Sequence, residues 1–125
     1  MANVLLNETR RAGGVIRQYR GVVLTADDTV AEVSVLGTGP FFGIAQELAD
    51  ANDVTVGKRV IAIMTHGVSK AVAGAAITRG QPVAFDAQGR VITAIATYNV
   101  VGTARQTVTT AGDILDVDIA PGGIF

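Results

Sequence analysis

Short apolar segments separated by turn residues fill the middle of this chain, and they constrain its fold more than any other feature. From Val56 to Ala96 the sequence reads VGKRVIAIMTHGVSKAVAGAAITRGQPVAFDAQGRVITAIA. Runs of Val, Ile and Ala are interrupted at regular intervals by Gly, by one Pro and by an Asp-Ala-Gln-Gly-Arg turn. This pattern is typical of strands joined by tight turns. It predicts a rigid β scaffold, which suits binding or bracing better than catalysis.

The flanking sequence continues the pattern. We predict strands over residues 15–24, 29–36, 59–64, 68–73, 81–85, 91–96, 102–107 and 114–119. Asp86–Arg90 has the composition of a hairpin turn in which Gly89 takes a positive φ. Residues 41–47 fit a strand, whereas residues 45–51 fit a short helical turn equally well. The predicted fold is therefore all-β, a small β-barrel or β-sandwich of about eight short strands with at most one short helix.

The two ends of the chain differ in their hydrophobic pattern. Residues 1–14 show no sustained period and end in Ala-Gly-Gly, so we predict a flexible N-terminal arm over 1–14 and a single β-rich domain over 15–125. In the last predicted strand, Leu115, Val117 and Ile119 alternate with Asp116 and Asp118, which predicts one buried and one solvated face. The Pro-Gly-Gly that follows is interpreted as the end of that strand.

Composition argues against several classes of function. The net charge is −1 and the basic residues are scattered, whereas nucleic-acid binding requires clustered Lys and Arg. The chain has no Cys, and no apolar run approaches the ~20 residues that cross a bilayer. We therefore expect no direct nucleic-acid or membrane partner. Aromatic residues make up only 5% of the chain, and the thin core that this implies favours oligomers.

Residues capable of catalysis occur without the partners that catalysis needs. His66 is the single histidine, and we predict it at a turn between two strands with no metal ligand at suitable spacing. Ser69 lies in Gly-Val-Ser-Lys-Ala, which lacks the final Gly of a nucleophile elbow. Gly57-Lys58 resembles part of a phosphate-binding loop, but Asn52 and Arg59 stand where that motif needs Gly and Ser or Thr.

Two further alternatives are weak. Asp116 and Asp118 belong to an alternating strand rather than to a loop that turns carboxylates inward around a cation. A biotin or lipoate carrier would display one Lys at a hairpin tip, and neither Lys58 nor Lys70 is placed in that way. We predict that the protein is not an enzyme and has no catalytic residue, no cofactor and no metal site.

An ordered series of segments resembles a known family. The series is Phe42-Gly-Ile-Ala-Gln46, Val56-Gly-Lys-Arg-Val60, His66-Gly-Val-Ser-Lys70, Ile77-Thr-Arg-Gly80, Asp86-Ala-Gln-Gly-Arg-Val91, Gly102-Thr-Ala-Arg105, Ala111-Gly-Asp113 and Val117-Asp-Ile-Ala-Pro-Gly122. Over roughly residues 40–125 it is similar to the capsid cement, or head decoration, proteins of tailed bacteriophages. Each segment alone is common in β proteins, and the order carries the resemblance.

The resemblance implies a structural virion protein made in the cytoplasm of a bacterial host. Such a protein binds the surface of the expanded capsid as a homotrimer at local threefold positions, contacts the major capsid protein and resists the pressure of packaged DNA. It also implies that the N-terminal arm becomes ordered on the capsid. We take as candidate capsid contacts the residues Asn3, Asn7, Arg10, Arg11 and Arg17. A phage tail or baseplate component, and a small β-barrel carrier or enzyme domain, stay open as alternatives.

Overall fold

The computed structural model describes residues 6–26, 29–37, 41–49 and 60–124, and this part of the chain forms nine β-strands and no helix. The strands are β1 (Leu6–Ala12), β2 (Gly21–Ala26), β3 (Thr29–Glu32), β4 (Gly43–Ala45), β5 (Val60–Val72), β6 (Pro82–Phe85), β7 (Val91–Thr93), β8 (Asn99–Ala104) and β9 (Ile114–Ile124). The predicted all-β fold is confirmed. Within the described residues no helix is long and apolar enough to span a membrane.

The first five strands close into a small barrel in the order β1-β3-β2-β4-β5, with β5 pairing back onto β1. The β1–β3 pair is parallel and the other pairs in this ring are antiparallel. Ala and β-branched side chains fill most of its narrow interior, as expected where little space separates the strands. The buried interior residues are Ala12, Ile16, Val22, Val30, Ala45, Ala49, Ile61 and Ile63.

The C-terminal half of β5 belongs to a second group of strands, in the order β5-β9-β8-β6-β7. A single parallel bridge between Ala73 and Val91 brings β7 back to the end of β5. Ile63 and Met64, which are neighbours on β5, point into different cores. The second core, which includes Met64, Ile77, Phe85 and Leu115, therefore packs against the outside of the barrel. The barrel and the second group of strands are thus joined by the long strand β5 and by the packing of the second core against the barrel.

β5 changes partners at its midpoint. Leu6 of β1 pairs with His66, and Ile119 of β9 pairs with Gly67. Gly67 has a φ of 103°, which glycine adopts without the steric cost that a Cβ would add. The sequence-based prediction of two strands with His66 in a turn between them is therefore wrong. The 13 residues of β5 form one strand, and the glycine redirects it instead of ending it.

Other predictions also change. Residues 6–12, expected in a flexible arm, form β1, whose backbone pairs with β5 from Leu6 to Arg11. Of the two alternatives for residues 41–51, the strand is correct over Gly43–Ala45. The Pro-Gly-Gly after residue 120 does not end the last strand, because β9 continues to Ile124 along β8. Residues 1–5, the Asp27-Asp28 turn and the Gly57-Lys58 segment lie outside the described residues.

Candidate functional site

The predicted contact residues do not form one cluster. Arg10 and Arg11 are neighbours on β1 and therefore point to opposite faces, while Arg17 lies on the loop between β1 and β2. Asn7 also lies on β1, and Asn3 lies outside the described residues. Arg11 is exposed, whereas Arg10 is partly buried. The three arginines therefore have different surroundings.

Arg10 is engaged inside the protein. Its Nη2 donates to Oε1 of Glu8 at 3.0 Å, and its guanidinium lies 5.2 Å from the ring centroid of Phe42. A cation over an aromatic face is electrostatically favourable, and the long side chain also covers apolar surface. These contacts position the Arg10 side chain beside Phe42, which packs against the barrel core.

Arg17 forms an ion pair with Glu32 that is supported by three hydrogen bonds. Its backbone N–H and its Nε both donate to Oε2 of Glu32, at 2.7 and 3.1 Å, and its Nη2 donates to Oε1 at 2.9 Å. The fork-like geometry matches a carboxylate with two parallel hydrogen bonds. The hydrogen bond to Glu32 raises the pKa of Arg17 above its ordinary value. The pair ties the β1–β2 loop to β3.

The predicted hairpin turn is confirmed and built on one buried carboxylate. Oδ1 of Asp86 accepts from the backbone N–H groups of Gln88 and Arg90 at 2.8 and 2.9 Å, and Oδ2 accepts from Nε of Arg90 at 2.9 Å. Gly89 has a φ of 75°, as the turn requires. Because Gly21 N–H donates to the Gly89 carbonyl at 2.7 Å, the tip of the turn is fixed against the start of β2.

This docking gathers three guanidinium groups into an arginine cluster, defined here as Arg17, Arg20 and Arg90. The Gln88 carbonyl at the tip of the turn accepts from Nη1 of Arg20 at 3.1 Å and from Nη2 of Arg17 at 3.5 Å. Burial lowers the pKa of Arg20, and the charges of Arg17 and Arg90 lower it further. Arg17 and Arg20 are three positions apart in the sequence, whereas the β6–β7 turn reaches them only in the folded protein.

A second surface feature is apolar. Val35, Leu36 and Ile95 are about half exposed, at 51, 47 and 57%. The two segments that carry them are neighbours, because Asn99 N–H donates to the Gly37 carbonyl at 2.8 Å and the Gly37 backbone lies against the ring of Tyr98. We call Val35, Leu36, Ile95 and Tyr98 the apolar end patch.

The groups considered for catalysis have structural partners. Ser69 is buried, and its Oγ accepts from Nε2 of Gln46 at 2.8 Å and donates to the Lys70 carbonyl at 3.0 Å. Lys70 forms a surface ion pair with Asp116 at 3.7 Å. Leu115 and Val117 are buried while Asp118 is exposed, so the predicted alternation of β9 is confirmed. No group of three or more potential metal-ligating side chains occurs in the described part of the chain.

The fold is similar to that of one solved phage structure. The crystal structure of the head fiber gp8.5 N base of bacteriophage phi29 superposes with a TM-score of 0.71, covering 98% of this chain and 99% of that chain. The sequences are 16% identical, so the likeness concerns the fold alone. Both chains are therefore all-β bodies of the same architecture.

The sequence itself identifies the family. Residues 13–119 match the family model of phage cement proteins, while no curated protein matches the chain. The chain belongs to the phage cement protein family, and the predicted resemblance is confirmed. It is a structural protein of the bacteriophage capsid.

Proposed function

We propose that the protein binds the outer surface of the expanded capsid as a homotrimer at local threefold positions. There it bridges neighbouring copies of the major capsid protein and stabilises the shell against the pressure of packaged DNA. The protein is made in the host cytoplasm and joins the virion on its outside. The family match over residues 13–119 carries this proposal, and the fold of a head fiber base supports it.

The structure suggests how such a body would act. Two cores share the long strand β5, so the described strands form a rigid unit with little conformational entropy to lose on binding. A trimer attached by three such units gains avidity, because the second and third contacts are intramolecular once the first has formed. A modest interface per copy is then sufficient for long residence on the capsid.

The apolar end patch is the surface we assign to self-association. Val35, Leu36 and Ile95 stand about half exposed on a chain with few large core side chains, and burying them between copies would remove apolar area from water. The aspartate substitutions Leu36→Asp and Ile95→Asp should therefore convert a trimer into monomers. Ile114→Asp is the matched control, since Ile114 is 52% exposed on β9.

We keep the candidate residues Asn3, Asn7, Arg10, Arg11 and Arg17 as proposed contacts with the major capsid protein. Arg10 also contacts Glu8 and Phe42 within the protein. Arg17 is 46% exposed in its side chain even while it binds Glu32, so part of it is accessible to a partner.

Co-sedimentation with expanded heads tests the proposal. Purified protein is mixed with heads that lack it, from the same phage, and its solution mass is measured by light scattering. We expect a trimeric mass, saturable binding to heads and no binding to unexpanded shells. Failure to bind expanded heads would overturn the proposal. Binding to tails but not to heads would instead support the tail or baseplate alternative.

A further inference from the structure

The arginine cluster is rigid before any partner arrives. The tip of the β6–β7 turn is fixed to β2 by the Gly21 to Gly89 hydrogen bond, and a Cβ at Gly89 would lie 3.0 Å from the Gly21 oxygen. The Gln88 carbonyl therefore has a fixed position, and it holds Nη1 of Arg20 at 3.1 Å. A guanidinium held in this way loses little rotamer entropy when it binds a further acceptor.

The charges of the cluster do not balance. Two carboxylates face it, and each already has a guanidinium partner: Glu32 binds Arg17 at 2.9 Å, and Asp86 binds Arg90 at 2.9 Å. Arg20 forms no ion pair among the described residues, and its only acceptor there is the Gln88 carbonyl. Its Nε is buried and has no hydrogen-bond partner within the described part of the chain. Among the residues that the structure describes, one positive charge of the cluster is therefore left without a counter-charge.

The positive charge of Arg20 is repelled by the two neighbouring guanidinium groups. An anion bound from outside would reduce this repulsion. Partial burial and the charges of Arg17 and Arg90 oppose the charge on Arg20 and lower its pKa, while Glu32 and Asp86 offset this only in part. An oxyanion at this point would gain from all three guanidinium groups while displacing neither existing ion pair. Carboxylate and phosphate are the two oxyanions that match a guanidinium fork.

We propose that Arg20 is an anion-binding residue and that its ligand is a carboxylate side chain of the capsid protein beneath it. This inference rests on the proposed function and names the chemistry of the partner. A protein carboxylate is favoured over nucleic-acid phosphate because the cluster offers one excess charge on a chain of net charge −1. Binding to a polyphosphate chain depends on many basic residues acting together.

The first test is the substitution Arg20→Ala in the full chain, with Arg79→Ala as the matched control. Arg79 is exposed, and within the described part of the chain only its backbone N–H is engaged, with Oγ1 of Thr107. Binding to expanded heads is measured by co-sedimentation at 50 and 200 mM NaCl. The Debye length differs about twofold between these two salt concentrations. We expect Arg20→Ala to weaken binding about tenfold at the lower salt concentration and to flatten the salt dependence. Arg20→Lys should retain an intermediate affinity, and Arg79→Ala should bind like the wild type.

The second test identifies the ligand. Carboxyl groups on the heads are neutralised with a carbodiimide and glycinamide, and both proteins are measured again. If the ligand is a carboxylate, wild-type binding falls on the neutralised heads, and Arg20→Ala then binds them as well as the wild type does. A further loss for Arg20→Ala on neutralised heads, or equal binding of both proteins to untreated heads, would overturn the inference. Failure of the wild type to bind any head contradicts the proposed function instead, so the two failures are distinguishable.

Discussion

Asp86 should be the single polar side chain on which the stability of the second group of strands depends most. It is 8% exposed, and its carboxylate accepts three hydrogen bonds that shape the β6–β7 turn. Asp86→Ala removes both acceptor oxygens and therefore all three hydrogen bonds. The turn also carries Gln88 and Gly89, which contact the start of β2, so its loss would loosen the docking between the two halves of the molecule.

The size of the effect follows from what replaces each lost bond. A hydrogen bond to a charged group contributes about 1.5–3 kcal/mol when its partner stays buried. Gln88 is exposed, so water can take the place of the carboxylate at its N–H, whereas Arg90 is only partly exposed and loses two bonds. We therefore expect Asp86→Ala to lower the free energy of unfolding by about 2–4 kcal/mol.

Asp86→Asn separates the two contributions. Its amide oxygen can still accept from the Gln88 and Arg90 backbone N–H groups, but its NH₂ group faces the Nε of Arg90, so the ion pair is lost. We expect a loss of about 1–2 kcal/mol, below that of the alanine variant.

Urea unfolding followed by circular dichroism measures these differences, with protomer concentration held constant because oligomers unfold in a concentration-dependent way. Asp118→Ala is the control, since Asp118 is exposed on β9, and it should change stability by no more than about 0.5 kcal/mol. If Asp86→Ala and Asp118→Ala unfold at the same urea concentration, the carboxylate does not hold the turn and the reasoning fails.

Two glycines give further predictions. A Cβ at Gly102 would overlap the Asp118 carbonyl oxygen on β9, so Gly102→Ala should lower the free energy of unfolding by about 2 kcal/mol or more, while Gly14→Ala, with nothing within 4 Å, should be nearly neutral. Gly67→Ala places a Cβ at a φ of 103° in the middle of β5 and should cost about 1–3 kcal/mol. Urea unfolding checks both, and wild-type stability for either variant would contradict the packing described.

Features that depend on neighbours in sequence were predictable. The alternation of β9 and the Asp86–Arg90 turn follow from local rules, since side chains alternate along a strand and a turn needs particular residues at fixed positions. The exact path of β5 does not follow from such rules. Gly67 looks like a turn residue in the sequence, and only the partners on either side of it, β1 and β9, show that the strand continues.

β1 was missed for a different reason. Its inward positions hold Glu8 and Arg10, so the strand lacks the apolar alternation by which strands are recognised. Their mutual ion pair and the Phe42 ring compensate for their polarity, and both depend on the folded barrel.

The arginine cluster could be predicted only in part. The sequence predicts Arg17 as a contact residue, and its side chain is partly exposed. The excess charge at Arg20 arises because a turn 68 residues further along the chain brings Arg90, Asp86 and the Gln88 carbonyl beside it. Such a long-range juxtaposition leaves no local pattern in the sequence.

Imaging of virions from the phage that encodes this chain tests the central claim most directly. Reconstruction of purified particles by cryo-electron microscopy should show trimers of this protein on the outside of the expanded shell, at local threefold positions. The arginine cluster should face a carboxylate of the capsid protein. Particles that lack the protein should lose this density and no other. Density for the body on the tail, or its absence from the capsid surface of particles that contain the protein, would contradict the account.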